Sequence, residues 1–187
     1  LSALDNGKHV LTEARMAMSA AEAQEMLDAS LRKHNIIAQV VPAPHTLTVD
    51  GTIKALIDDG YLGEVLAVDM SVHQGEFIDY DTRFHWRHDR DLSGYNILTM
   101  GIWYEAMIRW VGRASKVMAM TQVNVSYRQD ESGKRVDVTI PDHVDVICQL
   151  ANGAQAHLRF SAVTGLSPGN EAWLYGTEGT LHLDQRL

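Results

Sequence analysis

Cysteine occurs once in these 187 residues, at Cys148, which excludes an internal disulfide and fits a reducing cytoplasm. It lies in an alternating apolar run, so we read it as a buried, inert thiol. Basic residues are outnumbered, 16 Lys and Arg against 24 Asp and Glu, leaving a formal charge of −8. That balance argues against a nucleic-acid surface, because gripping phosphates needs a positive field. No apolar run approaches the roughly 20 residues that span a bilayer, so no membrane partner is expected. The fingerprint GxGxxG, which cradles a pyrophosphate at the start of a doubly wound domain, is also missing. So are internal repeats and low-complexity tracts. What remains, 45% hydrophobic and 21% charged residues, is ordinary for a globular protein with a sizeable core.

The chain opens at Leu1 inside a helix-like stretch closed by Asn6-Gly7, so we expect a fragment of something longer. His9 to Thr12 reads as a short buried strand, followed by the charged turn Glu13-Ala14-Arg15. In open α/β sheets, ligands gather beyond the carboxyl ends of parallel strands; this turn is the first place to look for chemistry. Ser19-Ala20-Ala21-Glu22 has capping-box spacing, and Ala23, Met26, Leu27 and Leu31 continue as one apolar helix face. Ile36 to Val41 is a continuous apolar strand, of the kind buried on both faces of a parallel sheet. Helix, strand, helix, strand is the tail of a doubly wound domain, here residues 1–44, with Pro42-Ala43-Pro44-His45 as a stiff boundary.

From residue 45 to 187 the grammar changes. A helix is expected over Val49 to Asp59. Leu66, Val68, Met70 and Val72 then alternate with Ala67, Asp69, Ser71 and His73, as in a half-buried antiparallel strand. Gly75 to Gly94 is a long charged and aromatic loop, a length that in compact domains is functional or disordered; its aromatic content favours order. A helix over Asn96 to Val111 carries Ile97, Met100, Tyr104, Met107, Ile108 and Val111 along its apolar side. Strands are expected at 117–122, 136–140, 143–150, 155–163, 172–175 and 180–183, with Asn152-Gly153 as a hairpin turn tolerant of positive φ. The fold class is thus α/β plus α+β: the C-terminal part of a Rossmann-like domain, then an open, mainly antiparallel sheet covered by helices on one face.

Several stretches together resemble the Gfo/Idh/MocA oxidoreductases, the glucose–fructose oxidoreductase and inositol dehydrogenase family. Gly7-Lys8-His9-Val10 with Glu13-Ala14-Arg15-Met16-Ala17 is similar to that family's GKHVxxEKPxA turn. Ile53 to Val65 resembles its helix leading into a Gly-x-x-Gly-x-Val strand start. Trp86 to Gly94 and Ile97 to Gly112 resemble its W-R segment and signature helix, and Asn152-Gly153 and Tyr175 to Leu181 its later turns. The resemblance runs along the whole chain. It implies NAD or NADP as cofactor, a sugar, polyol or similar small-molecule substrate, hydride transfer, and a homo-oligomer built through the sheet face.

The departures from the pattern are specific. Ala14 stands at the family's lysine, Arg15 at its proline, Thr99 at an aspartate, Trp103 at its histidine and Ala106 at a later aspartate. The resemblance therefore implies Glu13, Ala14 and Arg15 at the cofactor. Glu13 is then a ribose-binding group, or else a helix-start carboxylate. Arg15 stays protonated: it binds a carboxylate or phosphate, or is a solvated turn residue, and is a poor proton shuttle. Trp86, Thr99 and Trp103 face the substrate in this reading, with core packing as the other role for Trp103. Tyr104 and His85 are the catalytic candidates left in place of the missing acid–base groups. His85 and His88 lie near Asp89 and Asp91, but Arg83, Arg87 and Arg90 among them repel a cation, so no metal is expected. The alternative is a non-catalytic relative that binds or assembles through its sheet face.

Overall fold

The computed structural model describes residues 1–13, 15–41, 47–97 and 99–184. Ala14 and the expected boundary at Pro42 to His45 lie outside the described residues. The chain begins with a single helical turn, α1 (Ser2–Asp5), and a βαβ unit follows. Strand β1 (Val10–Thr12) pairs in parallel with β2 (Ala38–Val40), and α2 (Ala20–Leu31) joins them. Ser19 caps α2 by accepting from the Glu22 N–H at 3.3 Å, while Glu22 Oε2 accepts from the Met18 N–H at 2.8 Å. The reciprocal bond of the expected capping box thus lands one residue earlier. The expectation of burial on both faces fails for β2, whose three residues are all exposed. Its only partner strand is β1, so nothing among the described residues covers it.

The second unit is a six-stranded sheet in the order β10-β9-β3-β8-β7-β4. Its strands are β3 (Val65–His73), β4 (Ala114–Gln122), β7 (His143–Leu150), β8 (Gln155–Ser161), β9 (Glu171–Gly176) and β10 (Thr180–Asp184). Four of its pairings are antiparallel, and β3 with β8 is parallel. β3 is therefore not flanked by antiparallel neighbours alone, as its alternation suggested. Gly153, at φ 95°, turns the β7–β8 hairpin at the expected place. The expected strand at 136–140 is only β6 (Arg135–Asp137), paired with β5 (Tyr127–Gln129) in a separate ribbon.

Helices α3 (Leu47–Asp58) and α5 (Met100–Val111) cover one sheet face. The core lies between: Val68, Met70 and Val72 of β3, Leu158 and Phe160 of β8, and Ala172 and Leu174 of β9, against Ile53, Trp103, Ala106, Met107 and Trp110. Each of the larger aliphatic side chains and Phe160, fully buried, contributes on the order of 1.5–3 kcal/mol. Two pattern readings shift. Leu66 is 54% exposed because the β3–β9 register slips between Val65 and Ala67, and a bulge throws its side chain off the buried face. Helix α5 starts at Met100 rather than Asn96 and turns Trp103, Ala106 and Trp110 inward, leaving Ile108 at the surface.

Candidate functional site

Strand β1 ends at Thr12, and the chain leaves its carboxyl end through Glu13 and Arg15 toward the α2 cap. The long loop arrives from the other side, stiffened by its own side chains. A 3₁₀ turn at Trp86–His88 is closed reciprocally: His85 Nδ1 accepts from the Arg87 N–H at 3.3 Å, and His88 Nδ1 accepts from the His85 N–H at 2.9 Å. Helix α4 (Arg90–Ser93) follows at once, and Asp89 Oδ1 caps it by accepting from the Asp91 N–H at 2.8 Å. Ser93 Oγ donates back to the Asp89 carbonyl at 2.8 Å. The aromatic loop is thus ordered, as its composition suggested.

Gly94 ends α4 at φ 61°, and a Cβ built on it would lie 2.3 Å from the Met18 carbonyl oxygen. Only a residue without a side chain lets the two segments approach so closely. Arg15 adds a second tie, donating from Nη1 to Asn96 Oδ1. A cleft of about 530 Å³ opens between the segments, lined on one side by Glu13, Arg15, Met18 and Glu22 and on the other by Trp86, Arg87, Leu92 and Ser93. The Arg87 guanidinium lies 4.6 Å over the Trp86 ring. Burial first, and then the positive charge of Arg87, lower the pKa of Arg15 from its ordinary value.

Three of the candidates read from the sequence, Glu13, Arg15 and Trp86, meet in this cleft. His85 does not line it, though its ring lies 5.6 Å from that of Trp86. Thr99 is the residue before α5 and makes no capping bond there. Trp103 is 6% exposed and packed in the core. Tyr104 is half-buried, its hydroxyl accepting from the Ala114 N–H at 3.2 Å. None of those three lines the cleft. Sequence reasoning read Arg87 only as a charge that repels a metal ion, and Glu22 only as a helix cap; both line the cleft. Asn96 carried no local signal; long-range packing alone brings it to Arg15. Among the described residues, no group of three or more His, Cys, Asp or Glu side chains is placed to hold a metal ion.

The family model for the GFO/IDH/MocA C-terminal domain matches residues 51–182. The chain belongs to the GFO/IDH/MocA family. A curated relative, the levoglucosan dehydrogenase of Pseudarthrobacter phenanthrenivorans, is 24% identical over 97% of this chain and 50% of its own length. Solved folds agree. An NAD binding oxidoreductase from Klebsiella pneumoniae superposes with a TM-score of 0.86 at 24% identity, over 98% of this chain and 49% of that one. Levoglucosan dehydrogenase in complex with NADH and L-sorbose gives 0.84 at 24% identity, over 98% and 49%. The super-repressor mutant of Gal80p from Saccharomyces cerevisiae gives 0.78 at 19% identity, over 95% and 48%. The chain spans about half the length of the curated relative it matches, and in this GFO/IDH/MocA member the matched family domain is the open-sheet unit.

Proposed function

We propose that this chain carries the substrate-binding part of an NAD(P)-dependent oxidoreductase that acts on a sugar, polyol or related hydroxyl compound by hydride transfer. The observation that carries the reading is the position of the cleft. It opens at the carboxyl end of β1, a parallel strand, and collects Glu13, Arg15 and Trp86 there, where α/β folds bind their ligands. A bound nicotinamide ring would accept or deliver the hydride. Glu13 suits one of its ribose hydroxyls, since its carboxylate makes no hydrogen bond among the described residues. Trp86 offers the flat apolar face on which a sugar ring packs. Thr99 and Trp103 do not line the cleft, and Trp103 packs in the core of the sheet unit.

The proton is the harder part. His85 Nδ1 accepts a backbone N–H, so the neutral ring carries its proton on Nε2. His85, whose ring lies 5.6 Å from that of Trp86, thereby offers Nε2–H as a hydrogen-bond donor that can orient a substrate oxygen beside the indole. Tyr104 acts only through the position of α5. A dissenting reading, a non-catalytic relative assembling through the sheet face, is favoured by the use of Trp103 and Tyr104 in packing and by the fold shared with a Gal80p repressor. Self-association through that face is part of both readings, and the lone Cys148 suits a cytoplasmic setting.

Titration with NADH and NADPH, followed by energy transfer from tryptophan to the reduced nicotinamide, separates the two. Saturable binding that weakens in Glu13→Gln is expected. A folded chain that binds neither cofactor overturns the oxidoreductase reading for this chain.

A further inference from the structure

Arg15 and Arg87 face one cleft, and among the described residues neither guanidinium forms an ion pair with a carboxylate. The two carboxylates in the lining do not fill that role: Glu22 is held by the Met18 N–H, and Glu13 bonds to neither. The one bond that Arg15 makes runs to Asn96 Oδ1. An arginine only donates, so the bond fixes the orientation of the Asn96 amide and leaves Nδ2, itself a donor, buried without a partner among the described residues. Burial first, and then the charge of Arg87, lower the pKa of Arg15, in keeping with two guanidiniums that share one cleft without pairing to the carboxylates in its lining. Arg87 is further held 4.6 Å over the Trp86 ring, a contact that favours this position of the guanidinium.

Unpaired guanidiniums on a cleft wall are complementary to a carboxylate or a phosphate, which each can grip through two parallel N–H···O bonds. The neighbouring indole is complementary to a ring or a short polyol chain. We infer that the cleft selects an anionic hydroxylated small molecule, a sugar acid or a sugar phosphate, with its charged group between Arg15 and Arg87 and its carbon skeleton against Trp86. This inference rests on reading the cleft as the substrate site and narrows the substrate class within it.

Calorimetric titration of the 187-residue chain with D-gluconate, D-glucose 6-phosphate, inorganic phosphate and D-glucose tests it. One of the two charged sugars should bind at least tenfold more tightly than glucose, and added salt should weaken it. Which of the two wins decides between carboxylate and phosphate. Arg15→Gln and Arg87→Gln should each weaken that ligand roughly tenfold, with circular dichroism and the urea midpoint confirming that both variants fold; Arg87→Lys should recover only part of the loss. Glucose binding as well as gluconate and glucose 6-phosphate overturns the inference while leaving the oxidoreductase reading in place. Anion affinity unchanged in both Gln variants, or no binding of any anion, overturns it too. Inorganic phosphate matching glucose 6-phosphate removes the role of Trp86, and NADH displacing gluconate assigns the guanidiniums to the cofactor; either result defeats the inference. NADH binding, measured separately as above, stands or falls on its own.

Discussion

Asp50 ties the helical layer together, and both of its oxygens are committed. Oδ1 accepts from the Trp110 indole at 2.6 Å, and Oδ2 accepts from Arg109 Nε at 2.9 Å and Nη2 at 2.8 Å. The Asp50 side chain is only 12% exposed. Its removal strands a buried indole N–H and uncouples a largely sheltered arginine, so Asp50→Ala should cost about 3 kcal/mol in urea unfolding. Asp50→Asn, which keeps an acceptor for the indole, should cost less; equal losses would show that the indole bond contributes nothing. Titrating groups add a pH dependence. Burial works to raise the Asp145 carboxyl, but hydrogen bonds from Arg159 and His157, the Arg159 charge and a bond from His143 outweigh it and hold the pKa below the usual carboxylate range. Burial, with Arg159 and His143 beside it, lowers His73, and burial, with Arg128 and His85 nearby, lowers His88. In all three cases the unfolded chain binds protons at a higher pH than the folded one, so acid favours unfolding. The urea midpoint should begin to fall below about pH 6.5 through the histidines and fall further below about pH 4 through Asp145. A flat profile between pH 7 and 5, or an unchanged slope in His73→Gln, would contradict the histidine part.

Among the elements, the short ones show how local chemistry and distant packing divide the work. Ser19, Asp89, Gly7 and Gly153 mark ends and turns wherever they occur, because a cap or a positive φ is a property of a few adjacent residues. The cap of α2 and the β7–β8 hairpin were legible for that reason. The rotation of α5 was not, because its apolar residues ring the helix. Trp103 and Trp110 face inward through the packing of α5 on the sheet and through the acceptor that Asp50 provides. The bulge at Leu66 escaped for a like reason: strict alternation continues through it in sequence, while the register of β9 decides which residue is extra. Gly94 belongs at this scale too, since it joins α4 to the turn after β1. Gly94→Ala should destabilise the chain by about 1–3 kcal/mol, because its Cβ meets the Met18 backbone as well as an unfavourable φ. Gly133→Ala has a positive φ but open space around it, so its smaller loss isolates the cost of the close approach. Equal losses in the two variants would remove the contact from the explanation.

Across the molecule, α3 and α5 roof one face of the six-stranded sheet, and nothing among the described residues covers the other. Ile147, Met118 and Met120 stand on that second face and are 51%, 68% and 78% exposed. Beside them Asp145 gathers His143, His157 and Arg159 within 3.1 Å. An apolar patch beside a charge cluster is the kind of surface that pairs with a second copy. On the proposed self-association, light scattering should give twice the single-chain mass, and Ile147→Lys should return it to that of one chain. A native protein that is already monomeric at micromolar concentration would end that proposal. The roof also explains Cys148: it is buried under it, and burial raises its thiol pKa, as its alternating neighbours foretold. The sequence by itself determined the βαβ tail, the mainly antiparallel sheet, the family and the cleft residues Glu13, Arg15 and Trp86, because periodicity, caps and turn motifs are local and survive in one dimension. Tertiary structure alone decided that β3 lies parallel to β8, that Trp103 and Tyr104 serve packing, and that Arg87 and Asn96 join Arg15. Those facts depend on which surfaces remain to be buried once the elements exist, and on contacts between residues as far apart as Arg15 and Asn96, which no window along the chain contains.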